Sequence, residues 1–437
     1  DGKWNHIING SCDWVYEEEF SFTTAFAWSP DNRYIAYYRF DESAVKEFTM
    51  TNYTGELYPE NVTFKYPKVG MENSKVSIHI FDTKTKKKVD VDRTSDPDGY
   101  IPRIKWTNDP SKLCVFWMNR HQNHLELLIA NSVSGKTTKL LQEENKYYID
   151  IHDNLTFLQD GQGFIWTSEQ DGFNHIYLYD MSGSLKKQIT TGNWEVTSFY
   201  GVDEKNKAIY YQSASASPME REIFSVGLDG VTKKQLHVDK GMNTAQFSTT
   251  FDLFVLNHST INSAPTYTVY DRKGKVVRVL ENNEGVKAQQ DEAGAQPVEF
   301  FNFTTSEGVD LNGYMIKPAN FDATKKYPVF MTLYGGPGSQ EVLDGWMGAD
   351  YWWYQSLAQQ GYIIACVDNR GTGGRGEEFK KMTYLQLGHF ETIDQIEAAK
   401  YLGRLPYADS SRIGIFGWSY GGYMSSLCLL KGNDVFN

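Results

Sequence analysis

Thirteen residues, Arg412 to Met424, carry the clearest chemical pattern in the chain: RIGIFGWSYGGYM. Gly417-Trp418-Ser419-Tyr420-Gly421 is a G-x-S-x-G motif. An apolar strand (Ile413, Ile415, Phe416) precedes it, and a helix over Tyr423 to Leu430 is predicted to follow. A sharp strand-to-helix turn leaves no room for Cβ atoms beside the serine, and glycine tolerates dihedrals that other residues do not. Such a turn lifts Ser419 Oγ clear as a nucleophile. It also sets the Tyr420 N–H at a helix start, where it can bind an oxyanion.

Two further clusters fit a chemical role. Tyr334-Gly335-Gly336-Pro337-Gly338 ends a predicted strand and must be a loop. In a fold with this elbow, a second oxyanion donor comes from such a loop, and a tyrosine hydroxyl can supply it. The same residues would also suit a structural turn with a packed tyrosine. Glu17-Glu18-Glu19 lies between Trp14, Tyr16 and Phe20. Two carboxylates in one pocket repel, so a cation between them is favoured, and a peptide α-amino group is such a cation. On a short helix, neighbours diverge by about 100°, so two of the three share one space only if the segment bends. An exposed acidic turn explains the run equally well.

The elements around these residues follow two grammars. From residue 1 to about 290, strands and polar turns recur. First turns are read at Trp28–Asp31, Trp106–Asp109, Phe157–Gly161, Tyr200–Asp203 and Phe247–Thr250. After the first gap they repeat every ~43 to 51 residues, the period of propeller blades. Four hairpins also match: SIHIFDTKTKKKV, HIYLYDMSGSLKKQI, EIFSVGLDGVTKKQL and TYTVYDRKGKVVRVL. Four strands per unit in a repeated array predict a β-propeller of about four to five units, with Asp1 to Ser11 ending an earlier blade. An insertion over 41–75 is predicted to project as an arm, with Tyr58, Phe64 and Tyr66 packing on a second subunit or on the propeller itself.

Beyond that, strands are predicted at Val298–Thr304, Leu311–Lys317, Val329–Tyr334 and Tyr362–Val367, and a helix over Tyr384–Leu405. Their alternation implies a parallel, doubly wound sheet, and with the elbow an α/β-hydrolase. Asp368 to Gly376 lacks the Lys-Ser/Thr of a P-loop and is read as a tight surface loop. The expected architecture is a partial β-propeller over 1–292 followed by the N-terminal part of an α/β-hydrolase over 293–437.

Composition narrows the partners. The net charge of −12 argues against nucleic acid and favours a cationic substrate group. Cys12, Cys114, Cys366 and Cys428 form no C-x-x-C pair, so no metal or cofactor is expected, and Cys366 and Cys428 are read as core thiols. Six N-x-S/T triplets favour an exported protein, at a periplasm, a cell surface or in secretion.

DWVYEEE, LYGGPGSQ, DNRGTGGRG, HFETIDQIEAAKYL and GWSYGGY together resemble the dipeptidyl peptidase IV branch of the prolyl oligopeptidase family of serine peptidases. The resemblance implies that Ser419 is the nucleophile, Tyr334 the oxyanion hydroxyl and Tyr420 the oxyanion N–H donor. It further implies that Glu18 and Glu19 hold the free N-terminus of a peptide. The products are then X-Pro or X-Ala dipeptides, released through an acyl-enzyme, by an enzyme that is expected to be a homodimer. One departure is large. In this fold the triad runs Ser, Asp, His, yet all nine histidines precede Ser419. The expectation is a fragment without the triad Asp and His, inactive alone. A post-proline endopeptidase of the same family, or a propeller-based binding protein with an inactive hydrolase domain, are the alternatives; the presence of Ser419 disfavours the latter.

Overall fold

The structure is a computed structural model that describes residues 1–92 and 98–437. Five antiparallel sheets account for the N-terminal blades. The first contains Tyr34–Asp41, Lys75–Asp82 and Lys88–Asp90. Both Phe26–Trp28 and Ile7–Asn9 pair with Tyr34–Asp41. The segment expected to end an earlier blade therefore joins this same sheet. The next four sheets begin at Tyr100, Thr156, Val196 and Met242, with four strands each in sequence order. Tyr34–Asp41 shows why these residues form strands: Tyr34, Ala36, Tyr38 and Phe40 are buried, and the residues between them are half-buried. That alternation matches the two-residue period of a pleated strand with one face in a core.

Three details differ from the sequence pattern. Tyr200–Asp203 is not a turn; it ends the strand Val196–Asp203, and the register shifts between Phe199 and Gly201. Gly201 sits there at φ 131°, so the aromatic-glycine pair marks a bulge. The turn follows, where Asp203 Oδ1 accepts from Asn206 N at 3.0 Å. A fifth hairpin, between His124–Asn131 and Thr137–Glu144, joins the four that match in sequence. Its turn is held by Asn131 Oδ1, which accepts from Val133 N and Ser134 N at 3.0 and 2.9 Å. Within 41–75, Glu47–Asn52 and Glu60–Lys65 form an exposed hairpin. Tyr66 packs on Trp14 at 4.5 Å and on Phe64 at 6.2 Å, whereas Tyr58 is 81% exposed.

The C-terminal sheet has the order Val298–Thr304, Asp310–Ile316, Ile363–Val367, Tyr327–Thr332, Ala408–Phe416. Its last two junctions are parallel and its first two antiparallel. The fully parallel sheet expected from strand–helix alternation is thus mixed. The first antiparallel junction follows from the short connection after Thr304, where Thr305 N bonds Val309 O at 2.8 Å. Such a tight loop can only return the chain antiparallel. The helix expected over 384–405 runs from Phe390 to Gly403. Leu385 and Gly388 have φ of 60° and 82°, which breaks the helical path before Phe390. The core of this sheet includes Leu311, Met331, Ile363, Ala398, Leu402, Met424 and Cys428. Cys366 is buried as well, so both thiols expected in cores are there.

The chain divides into two compact units: residues 1–165 with 179–185, and 166–178 with 186–437. In the first unit, Tyr16 and Phe20 pack with Tyr38, Phe40 and Ile101. Asp13 caps the helix Trp14–Phe20, accepting from Tyr16 N at 3.0 Å and from Ser74 Oγ at 2.6 Å. Replacing a capping acid costs about 1 kcal/mol, and here a second hydrogen bond goes with it. Asp13→Ala should therefore lower stability by ~1–2 kcal/mol. A first urea transition with an unchanged midpoint would contradict this.

Candidate active site

Ser419 has φ 54° and ψ −115°, a conformation rare for a residue with a Cβ. It follows the strand Ala408–Phe416 and caps the helix Tyr420–Lys431, which starts three residues before the predicted Tyr423. The glycines are explained by close approach. A Cβ on Gly417 or on Gly421 would lie 2.4 Å from the Leu333 carbonyl oxygen. The elbow and the end of the neighbouring strand thus touch backbone to backbone. Tyr423 N donates to Ser419 O at 3.0 Å and Gly421 N to Trp418 O at 2.8 Å, closing the turn. Among the described residues, no hydrogen bond is made by Ser419 Oγ.

Tyr334 follows directly on Leu333, so the same contact places it beside the elbow. Its ring lies 6.0 Å from that of Tyr420. Gly336 is required for this, because a Cβ there would sit 2.6 Å from the Tyr334 ring and 3.1 Å from the Tyr420 ring. Tyr334 is 38% exposed, and its hydroxyl makes no hydrogen bond among the described residues. The Tyr420 N–H occupies the first helical position, where backbone donors have no intrahelical partner. The structure therefore gathers Ser419, Tyr420 and Tyr334 at one end of the sheet.

Glu18 and Glu19 lie in the other unit. Tyr16 and Phe20, one helical turn apart, turn inward and leave Glu17, Glu18 and Glu19 exposed. None of the three carboxylates takes part in a hydrogen bond or ion pair among the described residues. The aromatics beside them anchor the helix.

The segment from Asp368 to Gly376, expected as a surface loop, is corrected by the structure. Asp368, Asn369, Arg370 and Thr372 are all buried. Much of their polar surface is satisfied by the loop that carries Tyr334. Asp368 accepts from Glu341 N and Val342 N, both at 3.0 Å. Asn369 Nδ2 donates to Gly335 O at 3.0 Å, and Gln395 Nε2 donates to Asn369 Oδ1 at 2.9 Å. Arg370 forks onto buried Asp394, with contacts of 3.0 and 2.6 Å. Composition alone hides these residues, because Asp, Asn, Arg and Gly are also what exposed loops contain.

A second hydroxyl–imidazole–carboxylate series occurs in the first sheet. Ser77 Oγ lies 3.0 Å from His79 Nε2, and His79 Nδ1 lies 2.6 Å from Asp90 Oδ1. Ser77 sits in a regular ladder opposite Arg39. It has neither a strained turn nor a helix start beside it. The series staples two strands, and the contrast shows what the elbow adds at Ser419.

The fold and these residues define a β-propeller joined to an α/β-hydrolase with a serine elbow. Comparison with known proteins is specific. The profile of the dipeptidyl peptidase IV (DPP IV) N-terminal region matches residues 1–265, and that of the prolyl oligopeptidase family matches residues 349–437. The chain belongs to the dipeptidyl peptidase IV branch of the prolyl oligopeptidase family. It is 32% identical to dipeptidyl peptidase 4 of Trichophyton equinum, over 98% of this chain and 58% of that protein. The crystal structure of Porphyromonas gingivalis dipeptidyl peptidase 4 matches with a TM-score of 0.95 and 43% identity, covering 100% of this chain and 62% of that one. The chain thus spans about three fifths of the length of these relatives.

Two outcomes test the site's construction. Gly421→Ala forces a Cβ against a backbone carbonyl and should destabilise the protein by ~1–3 kcal/mol, read from its denaturation midpoint. Burial pushes Asp368 up to about 7, against the pull of its two backbone donors. A carboxyl raised in the folded state favours folding when protonated, so stability should fall as pH rises from about 4 to about 7. Asp368→Asn should flatten the pH–stability profile in that window; an unchanged slope would refute the assignment.

Proposed function

We propose that the protein carrying this chain is a serine exopeptidase that releases N-terminal X-Pro or X-Ala dipeptides. The observation that carries the reading is Ser419 at φ 54° in a strand-to-helix elbow, its Oγ unbonded among the described residues, with Tyr420 at the helix start and Tyr334 beside it. Ser419 Oγ attacks the scissile carbonyl and passes its proton to a general base. The developing oxyanion receives the Tyr420 N–H and the Tyr334 hydroxyl. The amine departs with the proton that the base took from Ser419, and water releases the dipeptide from the acyl-enzyme. Among the described residues no histidine hydrogen-bonds Ser419.

Glu18 and Glu19 are the proposed anchor for the free amine of the substrate. Their exposed carboxylates, unpaired among the described residues, support this, as does the name dipeptidyl peptidase 4 borne by the relatives. The reading extends to a homodimer, supported by the 91% and 81% exposure of Leu57 and Tyr58 on the arm, and to an exported protein, on its N-x-S/T triplets.

The test uses the full-length protein, a Gly-Pro-chromophore and its N-acetylated form. Only the free amine should be cleaved rapidly, and Glu18→Ala and Glu19→Ala should each cost 10-fold or more in kcat/KM, about 1.4 kcal/mol or above. Equal cleavage of both substrates would favour an endopeptidase instead.

A further inference from the structure

The residue after the nucleophile is held by its side chain as well as by its helix. Tyr420 Oη donates to Glu391 Oε1 at 2.6 Å. Glu391 is 0% exposed and lies in the first turn of the helix Phe390–Gly403. Its second oxygen, Oε2, is buried without a hydrogen-bond partner among the described residues. A carboxyl kept wholly inside a protein with half its acceptors unused is costly, and such a group calls for an explanation. Packing does not supply one, since an apolar residue of similar size would fill the space without that cost.

The elbow supplies a reason. Ser419 occupies a backbone region that costs about 1–3 kcal/mol and persists only where its surroundings over-determine it. The glycine contacts with Leu333 restrain the turn from the strand side. On that side the Tyr420 ring meets Tyr334 and Gly336 by packing alone, with no hydrogen bond to its hydroxyl there among the described residues. The Tyr420 hydroxyl is the remaining handle, and Glu391 grips that handle. Burial, and next the bond to Glu391, hold the Tyr420 phenol well above its usual range, so it remains a donor at any working pH.

We propose that Glu391 is a positioning residue: by clamping the Tyr420 hydroxyl it orients the Tyr420 N–H and holds Ser419 in its strained conformation. It touches neither substrate nor reacting atoms. The inference rests on the proposed peptidase reading, and it predicts where a loss falls. A displaced oxyanion donor weakens the transition state more than the bound substrate, so kcat falls while KM stays. Removing such a donor costs about 10²–10³ in kcat, so misplacing it should cost ~10- to 100-fold.

Four variants of the full-length protein decide it: Ser419→Ala, Glu391→Ala, Glu391→Gln and Tyr420→Phe. Glu391→Ala and Tyr420→Phe should each lower kcat by ~10- to 100-fold with KM within about threefold. Glu391→Gln keeps an acceptor for the phenol and should restore kcat to within about threefold. Should Glu391→Ala not fold, Tyr420→Phe, which loses a single oxygen, decides between the outcomes. Wild-type kcat in Tyr420→Phe, or a loss confined to KM, would overturn the proposal. A Glu391→Gln variant as impaired as Glu391→Ala would also overturn it. Full activity in Ser419→Ala would instead sink the peptidase reading on which it stands, so the two failures are separable.

Discussion

The candidate site in the C-terminal part of this chain depends on one backbone contact. The Leu333 carbonyl oxygen lies only 2.4 Å from where a Cβ on Gly417 or Gly421 would be. Two strand ends therefore meet with no side chain between them. That contact makes the elbow sharp, puts Ser419 at positive φ, and brings Tyr334, the next residue after Leu333, to the elbow's side. The positions of Ser419, Tyr420 and Tyr334 are thus consequences of the same steric constraint.

A strained turn needs a stiff surround, and the buried polar loop supplies it. Asp368, Asn369 and Arg370 each bond to a different neighbour: the Glu341–Val342 backbone, Gly335 O and Asp394. A buried polar network of this kind is rigid when satisfied and expensive when broken. Arg370 would be left with only half-exposed Glu307 as an ionic partner among the described residues if Asp394 were removed. Behind the elbow, Glu391 reaches Tyr420 from the preceding helix. The residues that shape this site therefore come from four separate stretches of sequence.

Legibility follows the range of the interaction. GWSYGG and LYGGPG are readable because only glycine tolerates such close approach and such dihedrals, which is a local property. The blades are readable from their period, and the Tyr16–Phe20 spacing accounts for the helix under the glutamates. The loop at 368–376 is not readable, because its partners lie at 335, 341, 342, 394 and 395, and nothing in DNRGTGG announces burial. Leu387 fits a helical period yet is 53% exposed, because the chain is turned by Leu385 and Gly388 before the helix begins. The Glu391–Tyr420 bond spans 29 residues and joins two helices, so spacing gives no sign of it.

The central claim is that the elbow's strain makes Ser419, among all the serines, the nucleophile. The direct measurement is covalent labelling of the full-length protein with a fluorophosphonate, followed by mapping of the modified peptide. Modification at Ser419, lost in Ser419→Ala and absent from Ser77 despite its hydrogen bond to His79, is the result this account predicts. A folded protein left unlabelled at Ser419, or labelled equally at Ser77, would contradict it.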